Sequence, residues 1–201
     1  MLSFPDIDAA LSGPGARLRL AAERDIPEIL IAHQDDSRLH AVLGLERPPS
    51  SAELGRRIER EAADRAAGVG VWLTILPPGP SESDECCGQV YVHDVDPDHL
   101  RAELGIWVVA ARRGAGLGTA ALNLAGRWLL MVCGLMRVEL LSEPDNDALT
   151  RAATAAGFSV EGVLRAYVRA GRGAGRAAGR GARNRADVRV VSLIPADLVA
   201  P

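Results

Sequence analysis

Apolar and polar residues alternate in Arg17-Leu18-Arg19-Leu20, the period of a strand with one buried face. The rhythm then changes, as Asp25-Ile26-Pro27-Glu28 supplies an N-cap acid and a first-turn proline ahead of Ile29, Leu30 and Ile31, predicting a helix. After Pro48-Pro49, Ser50-Ser51-Ala52-Glu53-Leu54 opens a second helix whose buried face is read as Leu54, Ile58 and Ala62. Residues 69–76 are a short apolar, β-branched run stopped by the proline- and glycine-rich loop at 77–80. Extended structure resumes at 89–93, turns over the polar stretch 94–100 and returns at 103–109, predicting central antiparallel strands. Beyond a glycine loop at 112–118 lies a long Ala- and Leu-rich helix at 119–132, followed by a strand at 137–141 and a helix at 145–155 that exits at Gly157-Phe158. Strands at 160–168 and 187–193 complete a mixed α/β layer. No whole-chain repeat suggests a solenoid.

Composition narrows this picture. The chain has 201 residues, 48% hydrophobic and 24% charged, which suits one globular domain of ordinary core size. Residues 1–15 show no sustained period and read as a tail or loosely docked arm, leaving 16–201 as the domain. Apolar runs are too short to cross a bilayer and no basic-then-apolar leader opens the chain, so a cytoplasmic protein without membrane contact is expected. Cys86, Cys87 and Cys133 lack zinc-site spacing and are read as free thiols, with no metal. The net charge is −3, but it is polarised. All basic residues are arginine, and eight of them stand between Arg165 and Arg189, inclusive, against a single acid, Asp187. Most belong to an Arg/Gly/Ala-rich insertion at about 169–186 in the final hairpin. It reads either as a basic loop for an anionic partner or as a compositional expansion without aromatic residues for base stacking.

The chemistry concentrates where the strand at 103–109 runs into Arg113-Gly114-Ala115-Gly116-Leu117-Gly118 and then a helix. Backbone N–H groups in such a loop can converge on one point, and the helix start adds partial positive charge, so a diphosphate fits; a plain tight turn is the competing reading. A lysine-bearing P-loop is excluded because the chain has no lysine. A dinucleotide fold is disfavoured by antiparallel-looking strands and the absence of repeated βαβ units.

The order of strand, Arg113-x-x-Gly116-x-Gly118, long helix, strand and Asn146 eleven residues before Gly157-Phe158 resembles the GNAT acetyltransferase superfamily. Glu103-Leu104-Gly105-Ile106-Trp107, Arg137-Val138-Glu139, Pro144-Asp145-Asn146 and Glu161-Gly162-Val163-Leu164-Arg165 are similar to its branch acting on the N-terminal Ser or Ala of ribosomal proteins and on related amines. The resemblance implies an α/β (α+β) GNAT fold: a central, mostly antiparallel sheet of about seven strands, with a splayed parallel pair forming a cofactor cleft. It also implies acetyl-coenzyme A as co-substrate. The arm of that molecule would pair with the strand at Trp107, Val108 and Val109, and its pyrophosphate with the amides of Arg113, Gly114, Ala115, Gly116, Leu117, Gly118 and Thr119. Asn146 would lie along it or serve as an N-cap.

Attack of a neutral amine on a thioester needs a proton acceptor and a proton for the departing thiolate. Glu103 is the expected base, or else a solvated strand-end acid; His93 with Asp94 is a second candidate base, or else a packed histidine. The family's usual serine three residues after the asparagine is Leu149 here, and Thr150 points about 100° away around the helix. Tyr167 is the remaining candidate donor, or a packing residue. The leading expectation is an N-acetyltransferase acting on a protein N-terminus or a small amine in a ternary complex, as a monomer or homodimer. The alternatives are a carrier-binding module with weakened catalysis and an accessory protein binding anionic partners through its arginines.

Overall fold

The computed structural model describes residues 2–7, 10–79, 84–169 and 185–199; the greater part of the arginine-rich insertion lies outside them. Its strands are β1 (Leu11–Gly13), β2 (Ala16–Leu20), β3 (Val71–Leu76), β4 (Gly88–Asp96), β5 (Arg101–Val108), β6 (Arg137–Ser142), β7 (Ser159–Arg169) and β8 (Arg185–Leu193). The α-helices are α1 (Ile26–Asp35), α2 (Leu39–Val42), α3 (Ser51–Ala66), α4 (Leu117–Met131) and α5 (Asp147–Ala155). The eight-stranded sheet runs β1-β2-β3-β4-β5-β6-β8-β7 and is antiparallel except at β5/β6.

That exception positions the site. β5 and β6 pair only through Arg101↔Arg137, Ala102↔Val138 and Glu103↔Glu139, then part, although both strands continue. Alternation along β5 sends Ala102, Leu104, Ile106 and Val108 to the core under α4, and Trp107 and Val109 to a second cluster with Ile29 of α1 and Leu54 of α3. One strand therefore separates two apolar layers. α4 belongs deep in the first layer, with Ala121, Leu122, Ala125 and Leu129 fully buried.

Four expectations change. The first fifteen residues are not a loose arm where they are described: β1 pairs with β2, and Phe4 is 1% exposed, lies against Trp128, donates its N–H to the Arg65 carbonyl and accepts at its own carbonyl from the Arg65 guanidinium. A three-residue strand is too short to reveal a period, which is why the sheet has one strand more than expected. Asp25 precedes α1 without capping it; its carboxylate is buried and accepts instead from Arg19, Thr74 and the Ala22 N–H. On α3 the inward face drifts from the expected stripe: Leu54 is buried but Ala62 is exposed and Glu61 is turned in, paired with Arg65, which also holds Phe4.

Candidate active site

Glu103 occupies the last paired position before β5 and β6 separate. Its side chain is 23% exposed, and burial pushes its pKa up to about 7; His93 beside it lowers the value, and Asp94 and Glu139 raise it. His93 is its cross-strand partner on β4, with Nε2 3.8 Å from Glu103 Oε1. The ladder is irregular just after His93, and Asp94 adopts φ 46, a left-handed conformation that aspartate tolerates better than most residues. This bend brings Asp94 Oδ2 to 2.9 Å from His93 Nδ1, leaving Nε2 aimed toward Glu103.

Behind His93 stands Tyr91, stacked on it with ring centroids 5.3 Å apart and lying across Gly105. A Cβ at Gly105 would fall 2.0 Å from the Tyr91 ring, so this position must be glycine for the tyrosine to lie there. Tyr91, Glu103 and Gly105 face a cavity of about 1460 Å³ between the sheet, α1 and α3, whose far wall includes Asn146, Leu149 and Tyr167.

The open edge of β5 faces the gap. Val109 N–H donates to Cys87, and Trp107 pairs with Gln89 on β4. This register turns the main-chain groups of Leu104, Ile106 and Val108 toward the parted β6. Trp107 is a buried packing residue, and Val109 has both main-chain groups engaged, its carbonyl accepting from Arg112. Of the three positions expected along the carrier's arm, only Val108 presents its backbone to the opening, because strand alternation permits every second residue to do so.

Beyond that edge, Gly114 and Gly116 take φ 78 and 82, and α4 starts at Gly116 without a side-chain cap. Among the described residues, no protein acceptor is paired with the N–H groups of Gly114, Ala115, Gly116, Leu117, Gly118 or Thr119. A Cβ at Gly114 or Gly116 would meet nothing within 4 Å, so the concave side is open. Arg113 differs from expectation: its N–H is taken by Ala110, and its side chain donates to the Val108 carbonyl at 2.8 Å and to Asp36 at 2.7 Å. The latter bond holds Asp36 below its ordinary carboxyl range and ties the glycine loop to the end of α1.

Asn146 caps α5, its Oδ1 accepting from the Leu149 N–H, while its side chain also lines the cavity. Leu149 packs against the core, and the Thr150 hydroxyl faces away, bonded to Arg189 and the Asn146 carbonyl. Tyr167 is 50% exposed at the cavity wall. The three cysteines are free, and burial pushes Cys86 and Cys133 up to about 12. Sequence reasoning missed Arg57, Trp72 and Tyr91, all on the cavity wall. The glycine inside the β5 pattern was the available signal that something approaches closely there.

Comparison with known proteins places these features in a family. The family model described as an acetyltransferase (GNAT) domain matches residues 16–159, a span that contains the parted strands, Glu103 and the glycine loop. YdaF of Bacillus subtilis (strain 168), whose name provisionally assigns it as a ribosomal N-acetyltransferase, is 28% identical over 149 residues, covering 72% of this chain and 75% of that protein. Mycobacterium smegmatis RimJ in complex with CoA-disulfide aligns with a TM-score of 0.70 at 20% identity, over 94% of this chain and 88% of RimJ. The ribosomal-protein-S5-alanine acetyltransferase of Vibrio fischeri aligns with a TM-score of 0.70 at 16% identity, over 93% and 97% of the two chains. These structural likenesses concern the fold. With the match extending across most of the sheet and over the whole of α4, the chain belongs to the GNAT acetyltransferase family.

Proposed function

We propose that this chain is an acetyl-coenzyme A-dependent N-acetyltransferase that passes the acetyl group directly from the thioester to a primary amine while both are bound. The carrying observation is Glu103, a carboxyl partly withdrawn from water where β5 and β6 part, with an unpaired strand edge nearby and the cavity in front of it. The unpaired N–H groups of residues 114–119 fit a diphosphate, since they gather donors at the positive end of α4 with no side chain in the way. Leu104, Ile106 and the Val108 N–H, the Val108 carbonyl being held by Arg113, offer the amide-bearing arm of the carrier the edge that a further strand would use.

In the reaction, the amine lone pair attacks the thioester carbonyl, the C–S bond breaks and the coenzyme A thiolate departs. The nitrogen loses its extra proton to Glu103, directly or through one water. A pKa near 7 makes that carboxylate a stronger base than an ordinary glutamate while leaving it substantially ionised at neutral pH. Asp94 and His93 hold the base in place from β4. The thiolate takes its proton from water or from Tyr167, because Leu149 has none to give. The names of YdaF and of the Vibrio fischeri enzyme favour a ribosomal type of protein N-terminus as acceptor, which implies work in the cytoplasm.

Incubation with acetyl-coenzyme A and a panel of Ser- and Ala-terminated peptides, polyamines and aminoglycosides tests this reading, with free thiol and acceptor mass as readouts. Wild type turns over at least one amine, and Glu103→Gln lowers kcat roughly 10²- to 10⁴-fold while coenzyme A affinity stays within a few fold. Tight acetyl-coenzyme A binding with silence across the panel would leave a carrier-binding module instead.

A further inference from the structure

The cavity wall also holds a cation without a counter-ion. Arg57 projects from α3 and lays its guanidinium 3.8 Å over the Trp72 ring. Trp72 stacks on Tyr91 at 4.5 Å, Tyr91 on His93 at 5.3 Å, and His93 reaches Glu103. A continuous row of flat groups thus leads from the proposed base to Arg57 across three strands.

Two of the other arginines lining this cavity are neutralised: Arg47 by Glu53, and Arg101 by Asp96 and Glu139. Among the described residues no carboxylate pairs with Arg57. Its one hydrogen bond among the described residues is a long contact of 3.5 Å to Gln89 Oε1, and both Arg57 Nε and Gln89 Nε2 are buried without partners among them. Burial lowers its pKa to about 10, and its positive charge helps hold buried His33 below the ordinary histidine value. Withdrawing a guanidinium from water without an anion is costly, and an indole face offsets only part of that cost. Stacking nevertheless fixes the plane and leaves edge N–H groups for a two-pronged acceptor. Arg60, one turn on, lines the same wall and likewise has no carboxylate partner among the described residues.

We infer that Arg57 is a specificity-determining residue that binds a carboxylate carried by the amine acceptor, so that the acceptor is a peptide with an acidic side chain close behind its N-terminal amine. The inference rests on the proposed acetyl transfer. The carrier's phosphates are an unsuitable partner, because residues 114–119 already supply donors for them and do not line this cavity. A polyamine would instead be drawn to carboxylates on the same lining, Glu46 and Glu143 among them, so spermidine serves as the competing acceptor.

The test uses the peptides Ala-Asp-Ala-Ala-Ala and Ala-Asn-Ala-Ala-Ala, with spermidine as a third acceptor. Wild type prefers the Asp peptide; Arg57→Gln raises its KM roughly tenfold to a hundredfold, changes the KM of the Asn peptide by less than about threefold, and Arg57→Lys recovers part of the loss. Equal losses on both peptides, or a wild-type preference for spermidine or the Asn peptide, would overturn the inference. Loss of coenzyme A affinity in Arg57→Gln, read by calorimetry, would also overturn it by assigning the cation to the carrier. Thermal melts confirm that each variant is folded, and Arg57→Lys keeps the charge if Arg57→Gln is not. Tryptophan fluorescence of the coenzyme A-loaded protein titrated with the Asp peptide supplies a readout without turnover, the saturable change being absent in Arg57→Gln and Trp72→Phe. Saturable, Arg57-dependent binding without acetylation would keep the anion site and discard the transfer reaction; acetylation of both peptides regardless of Arg57 would do the reverse.

Discussion

At the start of α3, Ser50 and Glu53 close every donor within their reach, whereas at the start of α4 a glycine stands where a cap would be. Ser50 Oγ accepts from the Glu53 N–H, the Glu53 carboxylate accepts from the Ser50 N–H at 2.8 Å, and Arg47 clamps the same carboxylate. Gly116 offers no side chain, and its neighbours' N–H groups have no acceptor among the described residues. The difference follows from where each helix draws its stability. α4 buries Ala121, Leu122, Ala125 and Leu129 completely, so its body anchors it and its first turn is free to serve a ligand. α3 shows its outer side to water and relies on its cap.

The largest effect should come from breaking the uncapped end. Gly116→Val forces a β-branched residue into φ 82 and fills the concave side of the loop. Because a Cβ there meets no atom within 4 Å, the chain still folds, with a strain cost of roughly 1–2 kcal/mol seen as a lower Tm. Coenzyme A affinity, in contrast, falls by about a hundredfold or more, equivalent to about 3 kcal/mol. Calorimetry showing unchanged affinity would mean the phosphates bind elsewhere.

A smaller effect sharpens the comparison at the base. Glu103 in the folded protein has a pKa near 7, above the ordinary carboxyl value, so between those two limits the folded state holds a proton that the unfolded chain releases. Stability therefore falls as pH rises through that window and stays reduced above it. Glu103→Gln removes the penalty and should raise stability by roughly 2 to 3 kcal/mol at pH 8, with little change at pH 4. A difference in Tm between the two proteins that ignores pH would remove the desolvated carboxyl from the argument. In the active protein, the limb of kcat/KM rising near pH 7 disappears in the same variant.

These sites were unequally legible in the sequence. The capping box and the glycine loop are local signals, readable because the donors and acceptors involved lie within a few residues. The run from Glu103 to Val109 was likewise readable as a strand, but not which of its residues turn their backbone to the gap. What escaped depends on partners far along the chain. The meeting of His93 with Glu103 requires the β4/β5 register and the left-handed turn at Asp94. Burial of Glu61 in place of Ala62 requires Arg65 to be held by Phe4, whose docking no periodicity announced. Arg57 escaped because Trp72, the ring beneath it, lies on a different element and nothing local to α3 announces it.

The smallest effect belongs to the capped end and serves as the control for the other. Ser50→Ala removes the Oγ acceptor for the Glu53 N–H while leaving the Glu53–Arg47 pair able to form. Loss of a serine N-cap costs about 1 kcal/mol, so chemical denaturation should show a lower midpoint without a changed slope. Coenzyme A affinity should not move, because the bonds lost belong to the helix itself. If Ser50→Ala weakened coenzyme A binding as Gly116→Val does, the two helix starts would not be separable into one that stabilises and one that receives, and the vacancy at Gly116 would have to be explained by packing alone.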